Sequence, residues 1–159
     1  PRHPQRFDEV AGLLEQRGLR VARRSQSLPD GETEVWLGDS MGEMAAYFSL
    51  ADLAFVGGSL LPLGGQNLIE AAACGCPVLV GPHTFNFLQA TEDSIACGAA
   101  KRVDNADEAA SAVEALLEDR EALHAMREAA LSFSQAHRGA TARTMALIRG
   151  VMARQEIPE

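Results

Sequence analysis

Two short apolar runs, each ending in glycine, restrict the fold more than any other feature of the sequence. They read LAFVGG at 53–58 and PVLVGP at 77–82. Because both runs are apolar at nearly every position, strands formed by them should be covered on both faces, as strands of parallel sheets are. Helical patterns lie between the runs, at 66–74, and after them, at 86–97. The alternation predicts an α/β fold, a Rossmann-like parallel sheet with helices on both faces.

The rest of the chain predicts shorter strands and a helical end. Further helices are expected at 4–17, 107–117, 119–136 and 141–153, and further strands near 19–24, 35–38 and 99–103. Phe85 and Phe87 are expected to anchor the core. With 159 residues and no low-complexity linker, we expect a single domain over 1–159, excised from a longer protein because it opens abruptly with PRHP.

Composition excludes several classes of function. A net charge of -8 argues against nucleic acid as a partner, and no apolar run reaches the length of a membrane span. The three cysteines are an odd number, and Cys74 and Cys76 form a C-x-C pair without a second ligand pair. We therefore expect free, small apolar cysteines in a reducing compartment, with no metal site and no cofactor.

Two glycine pairs, at 57–58 and 64–65, suggest a phosphate site. Each follows a predicted strand or precedes a predicted helix, where backbone N–H groups can meet an anion. The predicted phosphate ligands are the Ser59 side chain and the backbone N–H groups of Gly58, Gly64, Gly65 and Gln66. The alternative is that these glycines only form turns.

A carboxylate follows the second pair of glycines at helical spacing. Asn67 and Glu70 are three residues apart and should share one helix face. Glu70 is then placed to accept hydrogen bonds from the two hydroxyls of a ribose, as acidic residues do in dinucleotide folds, and Asn67 to orient the loop or touch a sugar. The stretch predicts a nucleotide site, although Glu70 as a solvated acid of a first helical turn remains the alternative.

The segment GGQNLIE (64–70) resembles the donor-nucleotide motif of glycosyltransferases with the two-Rossmann GT-B architecture. Four further segments narrow the resemblance: PRHPQRF (1–7), GDSMGEM (38–44), GPHTFNF (81–87) and HRGAT (137–141). In this order, they resemble the C-terminal, donor-binding half of the 3-deoxy-D-manno-octulosonic acid (Kdo) transferases. The resemblance covers nearly the whole chain.

The resemblance implies a glycosyltransferase that moves Kdo from CMP-Kdo to a lipid A precursor in lipopolysaccharide biosynthesis. The N-terminal acceptor domain of such an enzyme binds the lipid, supplies the catalytic base and associates with the inner face of the bacterial inner membrane, on the cytoplasmic side. The present chain would bind the donor. It would then contain no catalytic residue and would be inactive alone.

The resemblance also assigns roles to residues outside the glycine pairs. Arg2 is expected at the donor phosphate or the sugar carboxylate, unless it is only a flexible terminal arginine. Met41, Gly42 and Glu43 are expected near the cytosine base, with Glu43 as a helix-capping residue the alternative. His83, with its neighbours Thr84 and Asn86, follows a strand end and should face the same cleft, although a structural histidine is the commoner case. Arg138 could reach the site from the last helices.

Two other kinds of function remain open at this point. The chain could belong to another GT-B transferase or a UDP-sugar epimerase, both of which resemble it in the glycine motif but usually bind a diphosphate. It could instead be a non-catalytic α/β interaction domain in which the glycines are structural.

Overall fold

A computed structural model describes residues 3–137 and 140–155. The described residues form two compact units, one ending at Met44 and the other starting at Ala45. The helices and strands follow in chain order: a 3₁₀ helix (Pro4–Arg6), α1 (Phe7–Gln16), β1 (Val21–Arg23), β2 (Val35–Leu37), α2 (Met44–Leu50), β3 (Ala54–Phe55), α3 (Ile69–Ala73), β4 (Val78–Val80), a second 3₁₀ helix (Phe85–Phe87), α4 (Leu88–Ala96), β5 (Ala100–Arg102), α5 (Ala106–Glu118), α6 (Arg120–His137) and α7 (Ala140–Gln155).

The first unit contains a pair of parallel strands. Val21 of β1 lies opposite Val35 of β2, and the register continues to Arg23 and Leu37. Helix α1 ends before Gly18, whose φ of 74° suits the left-handed turn that commonly follows a helix. The helix and both strands match the elements expected from the sequence.

The second unit contains a three-stranded parallel sheet in the order β3-β4-β5. Ala54 pairs with Val78, and Val78 pairs in turn with Ala100. Because each of these strands is joined to the next through helical structure, all three run in the same direction. The predicted α/β fold with a parallel sheet is confirmed.

Strand β4 carries the core of this sheet, because both of its faces are covered. Val78 and Val80 join a cluster that includes Ala130 and Phe133 of α6. Leu79, whose side chain points the opposite way, joins a second cluster built mainly from α5 and α6. All three strand residues are at most 1% exposed, and each such burial stabilises the fold by about 1.5–3 kcal/mol. This explains the uninterrupted apolar run PVLV.

Two local expectations differ from the structure. Helix α3 begins at Ile69 rather than near Gln66. The Asn67 side-chain oxygen accepts the N–H of Ile69, two residues on, at 3.0 Å, and such a local bond competes with helix formation. Phe85 and Phe87 were expected in the core, but Phe85 is 59% exposed and Phe87 is half-buried. Among the residues that the structure describes, no helix is long and apolar enough to cross a membrane.

Candidate functional site

The carboxyl ends of β3 and β4 place two sequence motifs side by side. The β3 segment (residues 56–68) follows β3 and leads into α3, and the β4 segment (residues 81–87) follows β4. Because β3 and β4 are adjacent parallel strands, the segments leave the same edge of the sheet, where ligands of open α/β sheets bind. The two segments are joined by several hydrogen bonds.

Ser59 is the buried centre of this connection. It is 0% exposed, and its hydroxyl donates to the Val56 carbonyl at 2.5 Å while accepting the Gly81 N–H at 2.8 Å. Its own carbonyl accepts the His83 N–H at 2.9 Å. The hydroxyl has one proton, which it shares in the hydrogen bond to the Val56 carbonyl. The predicted donation from Ser59 to a phosphate is therefore not available in this arrangement. Ser59 instead organises the segments around it.

Gly81 is required by the closeness of the two segments. A Cβ built on Gly81 would overlap the carbonyl group of Ser59 and lie 2.6 Å from the nitrogen of Leu60. These are main-chain atoms, so the overlap cannot be relieved by a side-chain rotation. The apolar run PVLV is therefore followed by glycine, because the main chain of the β3 segment approaches closely there.

The second glycine pair forms a fixed turn. Gly64 and Gly65 both have positive φ, and the Gly65 N–H donates to the Gly58 carbonyl at 3.0 Å. That N–H is engaged inside the segment, so its predicted bond to a phosphate would have to replace this one. A Cβ on Gly64 would overlap the amide of Asn86 and the ring of Phe85, which shows how tightly the β4 segment covers the turn.

Asn67 and Glu70 meet at the start of α3, but they do not share a helix face as their spacing predicted, because Asn67 precedes the helix. The Asn67 side-chain oxygen accepts the Ile69 N–H at 3.0 Å, and its amide nitrogen donates to one carboxylate oxygen of Glu70 at 3.3 Å. Asn67 therefore both satisfies an N–H of the first helical turn and holds the carboxylate. Glu70 is exposed, and a carboxylate has about four acceptor positions, so it can accept further hydroxyl groups from solvent or a ligand.

The β4 segment contributes two further polar side chains. His83 is half-buried, and its main-chain N–H holds the Ser59 carbonyl as described. Thr84 is 4% exposed, and within the described part of the chain its hydroxyl has no hydrogen-bond partner. Thr84 packs close to Gly65, so it lies at the same edge of the sheet.

The loop containing Met41, Gly42 and Glu43 belongs to the first unit. Met41 is 62% exposed and Gly42 has a φ of 81°, as a tight turn requires. Glu43 accepts hydrogen bonds from the Ser40 hydroxyl and from Arg24, the latter at 2.8 Å. These bonds, that of Ser40 first, lower the pKa of Glu43. The carboxylate is therefore fixed within its own loop region.

A buried acid, Asp39, holds the base of this loop and was missed by the sequence analysis. It accepts hydrogen bonds from the N–H and hydroxyl of Ser25, at 2.8 and 2.6 Å, and from Arg23 at 2.8 Å. The Ser25 hydroxyl bond is the largest cause that lowers the pKa of Asp39 to about 2, with Arg23 adding to it against the effect of burial. The sequence offered one sign of this role, an acidic residue that directly follows the predicted strand VWLG.

Two predicted residues cannot be placed, since Arg2 and Arg138 lie outside the described residues. The remaining second-unit residues of the prediction do come together at the edge of the sheet: Gly58, Ser59, Gly64, Gly65, Gln66, Asn67, Glu70 and His83. Across residues 3–137 and 140–155, no three His, Cys, Asp or Glu side chains gather where they could hold a metal ion.

Comparison with known families identifies the class of protein. Residues 10–133 match the family described as glycosyl transferases group 1, and this range includes both sheets and both segments at the sheet edge. The chain belongs to the glycosyl transferases group 1 family. The glycine-rich edge of the second unit is therefore part of a glycosyltransferase domain, as the resemblance implied.

Individual relatives indicate which transferases of this family the chain is similar to. A 3-deoxy-D-manno-octulosonic acid transferase of Bordetella pertussis is 53% identical over 91% of this chain and 34% of its own length. The enzyme of the same name from Haemophilus influenzae is 40% identical over 97% of this chain and 36% of its own length. Within the group 1 family, the chain is therefore homologous to 3-deoxy-D-manno-octulosonic acid transferases. It spans about a third of the length of these curated relatives.

A solved structure of a single domain is also similar to most of this chain. The crystal structure of the C-terminal CMP-Kdo binding domain of WaaA from Acinetobacter baumannii is similar, with a TM-score of 0.81 and 36% identity. The similarity covers 85% of this chain and 71% of that domain. The expected architecture, the C-terminal half of a GT-B glycosyltransferase, is confirmed.

Proposed function

We propose that this chain is the donor-binding domain of an enzyme that transfers Kdo from CMP-Kdo to a lipid A precursor in lipopolysaccharide biosynthesis. The similarity to Kdo transferases supports the reaction class. The observation that carries the proposal is the position of the Asn67–Glu70 pair, beside two positive-φ glycines at the carboxyl edge of a parallel sheet. An exposed carboxylate next to a turn of main-chain N–H groups suits a nucleotide, which offers a diol and a phosphate.

Glu70 binds the ribose of CMP in this proposal. Its carboxylate is exposed, and Asn67 orients it through the 3.3 Å hydrogen bond. The two ribose hydroxyls donate to the acceptor positions that Asn67 leaves open. Two hydrogen bonds to a charged acceptor contribute about 1.5–3 kcal/mol each, so Glu70 is the residue whose loss should weaken nucleotide binding most.

Main-chain groups of the β3 segment hold the donor phosphate. The proposed ligands are the N–H groups of the β3 segment at Gly58, Gly64, Gly65 and Gln66. The Gly65 N–H exchanges the Gly58 carbonyl for the phosphate when the donor binds. The buried Ser59 holds this segment in place through its hydrogen bonds to Val56 and Gly81. Arg2 contributes positive charge at the phosphate or at the sugar carboxylate, for which its planar guanidinium is suited. Fixed donors of this kind stabilise the negative charge that CMP gains as it leaves.

The proposal also gives roles to residues of the first unit and to His83. Met41 and Gly42 offer an exposed turn whose main-chain groups bind the cytosine edge, and Glu43 shapes that turn through Ser40 and Arg24. His83 follows β4 in the β4 segment and is proposed as a further donor-binding residue. No catalytic residue is assigned to this chain.

The remaining partners of the proposal belong to the longer enzyme. The acceptor is a lipid A precursor bound by an N-terminal domain of the same enzyme, which also supplies the catalytic base. The complete enzyme acts at the cytoplasmic face of the bacterial inner membrane. This chain alone binds the donor and catalyses no transfer.

Isothermal titration of the 159-residue chain with CMP, UMP and UDP tests the proposal. We expect CMP to bind more tightly than UMP or UDP, and Glu70→Gln to weaken CMP binding tenfold or more, in line with the loss of about 1.5 kcal/mol or more. Glu114→Gln, which changes an exposed acid of α5, is the matched control and should bind as the wild type does.

The possible contrary results are distinct. Tighter binding of UDP than of CMP would indicate a transferase or epimerase that uses a UDP-sugar. If the folded chain bound none of the three nucleotides, the proposed donor site would be wrong for this domain.

A further inference from the structure

We infer that Asn86 is a positioning residue of the donor site: its amide fixes the Leu63–Gly64 turn, so that the β3 segment is held ready to bind a phosphate. The inference deepens the proposed function and rests on it. Asn86 does not touch the donor in this account. It acts through the main chain of the β3 segment.

Asn86 binds the turn at two consecutive carbonyl groups. Its side-chain nitrogen donates to the Leu63 carbonyl at 3.2 Å, and its main-chain N–H donates to the Gly64 carbonyl at 3.2 Å. The two peptide groups thus held are those on either side of Gly64, so the pair of bonds restrains the φ and ψ angles of that residue. Gly64 has a φ of 87°, a value that only glycine adopts readily.

The side chain also fills the space beside Gly64. A Cβ at that position would overlap the Asn86 amide and approach the Phe85 ring at 2.6 Å. Asn86 is nevertheless exposed, and it belongs to a short 3₁₀ helix (Phe85–Phe87) rather than to the core. An exposed side chain that spans 23 positions of sequence to hold one turn contributes little to global stability but strongly to local geometry.

The chemistry requires an amide at this position. The Leu63 carbonyl can only accept a hydrogen bond, and an asparagine offers a donor where an aspartate of the same shape does not. The turn that Asn86 fixes is followed directly by the N–H groups of Gly65 and Gln66 and then by Asn67 and Glu70. A displaced turn would therefore move both the proposed phosphate ligands and the proposed ribose ligand.

Two substitutions separate this positioning role from simple space filling. Asn86→Asp keeps the shape of the side chain and removes the donor, whereas Asn86→Ala removes both. Gln89→Ala is the control, because Gln89 is an exposed amide nearby whose hydrogen bond goes to Asp93 within α4. Each variant is examined in the 159-residue chain by ¹H–¹⁵N NMR without ligand, by CMP titration and by thermal unfolding.

We expect both Asn86 variants to shift the amide resonances of 63–66 in the ligand-free chain and to weaken CMP binding at least about fivefold. The midpoint of thermal unfolding should stay within about 3 °C of the wild type, which is the scale of 1 kcal/mol for a domain of this size. Gln89→Ala should change neither the 63–66 resonances nor CMP binding.

Two results would overturn the inference. One is an Asn86→Asp variant whose 63–66 resonances match the wild type, which would show that the amide does not hold the turn. The other is a shifted turn with CMP affinity within twofold of the wild type. If the wild-type chain itself failed to bind CMP, the proposed function would fall, and the ligand-free spectra would still decide whether Asn86 fixes the turn.

Discussion

The hydroxyl of Ser59 accepts the main-chain N–H of Gly81 at 2.8 Å, and this bond joins the carboxyl ends of β3 and β4 inside the protein. Ser59 has no exposed surface, and a Cβ on Gly81 would overlap its carbonyl group. The two residues therefore fix the distance between the segments that carry the proposed donor site. Their positions depend on each other, although 22 positions of sequence separate them.

Ser59→Ala should destabilise the fold. It leaves a buried N–H and a buried carbonyl, those of Gly81 and Val56, without their hydroxyl partner. An unsatisfied buried group costs about 1–3 kcal/mol, so the thermal midpoint should fall by roughly 2–12 °C, as measured by circular dichroism. Ser49→Ala removes a hydroxyl bond on the exposed face of α2 and should change the midpoint far less. Equal midpoints for the two variants would contradict the assigned role of Ser59.

Gly64→Ala and Gly12→Ala should change stability in opposite directions. Alanine at 64 must adopt a φ near 87° and would overlap Asn86, so we expect a loss of at least about 1 kcal/mol. At Gly12, inside α1, a Cβ meets nothing within 4 Å, and alanine should add about 0.5–1 kcal/mol through its higher helix propensity. Urea unfolding measures both. A stable Gly64→Ala variant that still binds CMP would contradict the description of this turn.

The buried acid Asp39 should give the protein a characteristic loss of stability in acid. Its pKa is lowered from 3.8 to about 2, so the folded state favours the ionised form. The corresponding stabilisation is complete above pH 4 and is lost as the pH falls from about 4 to about 2. Asp39→Asn should be less stable than the wild type at neutral pH, and the difference should shrink over that acid range. Unfolding midpoints measured from pH 7 to pH 2 test this, and a constant difference would refute it.

Cys76 and Cys97 should differ in their reactivity toward thiol reagents. Cys76 is 0% exposed, and burial raises the pKa of its thiol to about 11, so little thiolate is present near neutral pH. Cys97 is exposed and should react first with a thiol reagent such as DTNB at pH 8. Cys97→Ser should remove the fast phase, and Cys76 should react only on unfolding. A fast reaction at Cys76 in the native chain, located by mass spectrometry, would show that this core opens.

Much of the fold could be predicted because its signals are local. The apolar run PVLV identifies β4 as a strand covered on both faces, and the structure buries Val78, Leu79 and Val80 as that pattern requires. The spacing of Asn67 and Glu70 predicted that they lie side by side, and they do form a hydrogen bond, although Asn67 precedes the helix that was expected to carry both. In each case the neighbours in sequence determine the geometry.

The features that the sequence did not reveal depend on partners distant in the chain. Ser59 was expected to face a phosphate, yet its hydroxyl donates to the Val56 carbonyl and accepts the Gly81 N–H. Phe85 was expected in the core, yet it lies exposed against Gly64. The buried bonds of Asp39 depend on Ser25 and Arg23, 14 and 16 positions away, which no periodic pattern shows.

The most direct test of the central claim is ¹H–¹⁵N NMR mapping of CMP binding on the wild-type chain and on Glu70→Ala. The account predicts that CMP shifts the resonances of 57–70, and that UMP shifts them less at equal concentration. It also predicts that Glu70→Ala loses these shifts while its ligand-free spectrum, apart from α3 and its hydrogen-bond partner Asn67, stays unchanged. Equal shifts in the wild type and in Glu70→Ala, or shifts that fall away from the carboxyl ends of β3 and β4, would contradict the claim that this edge binds the donor nucleotide.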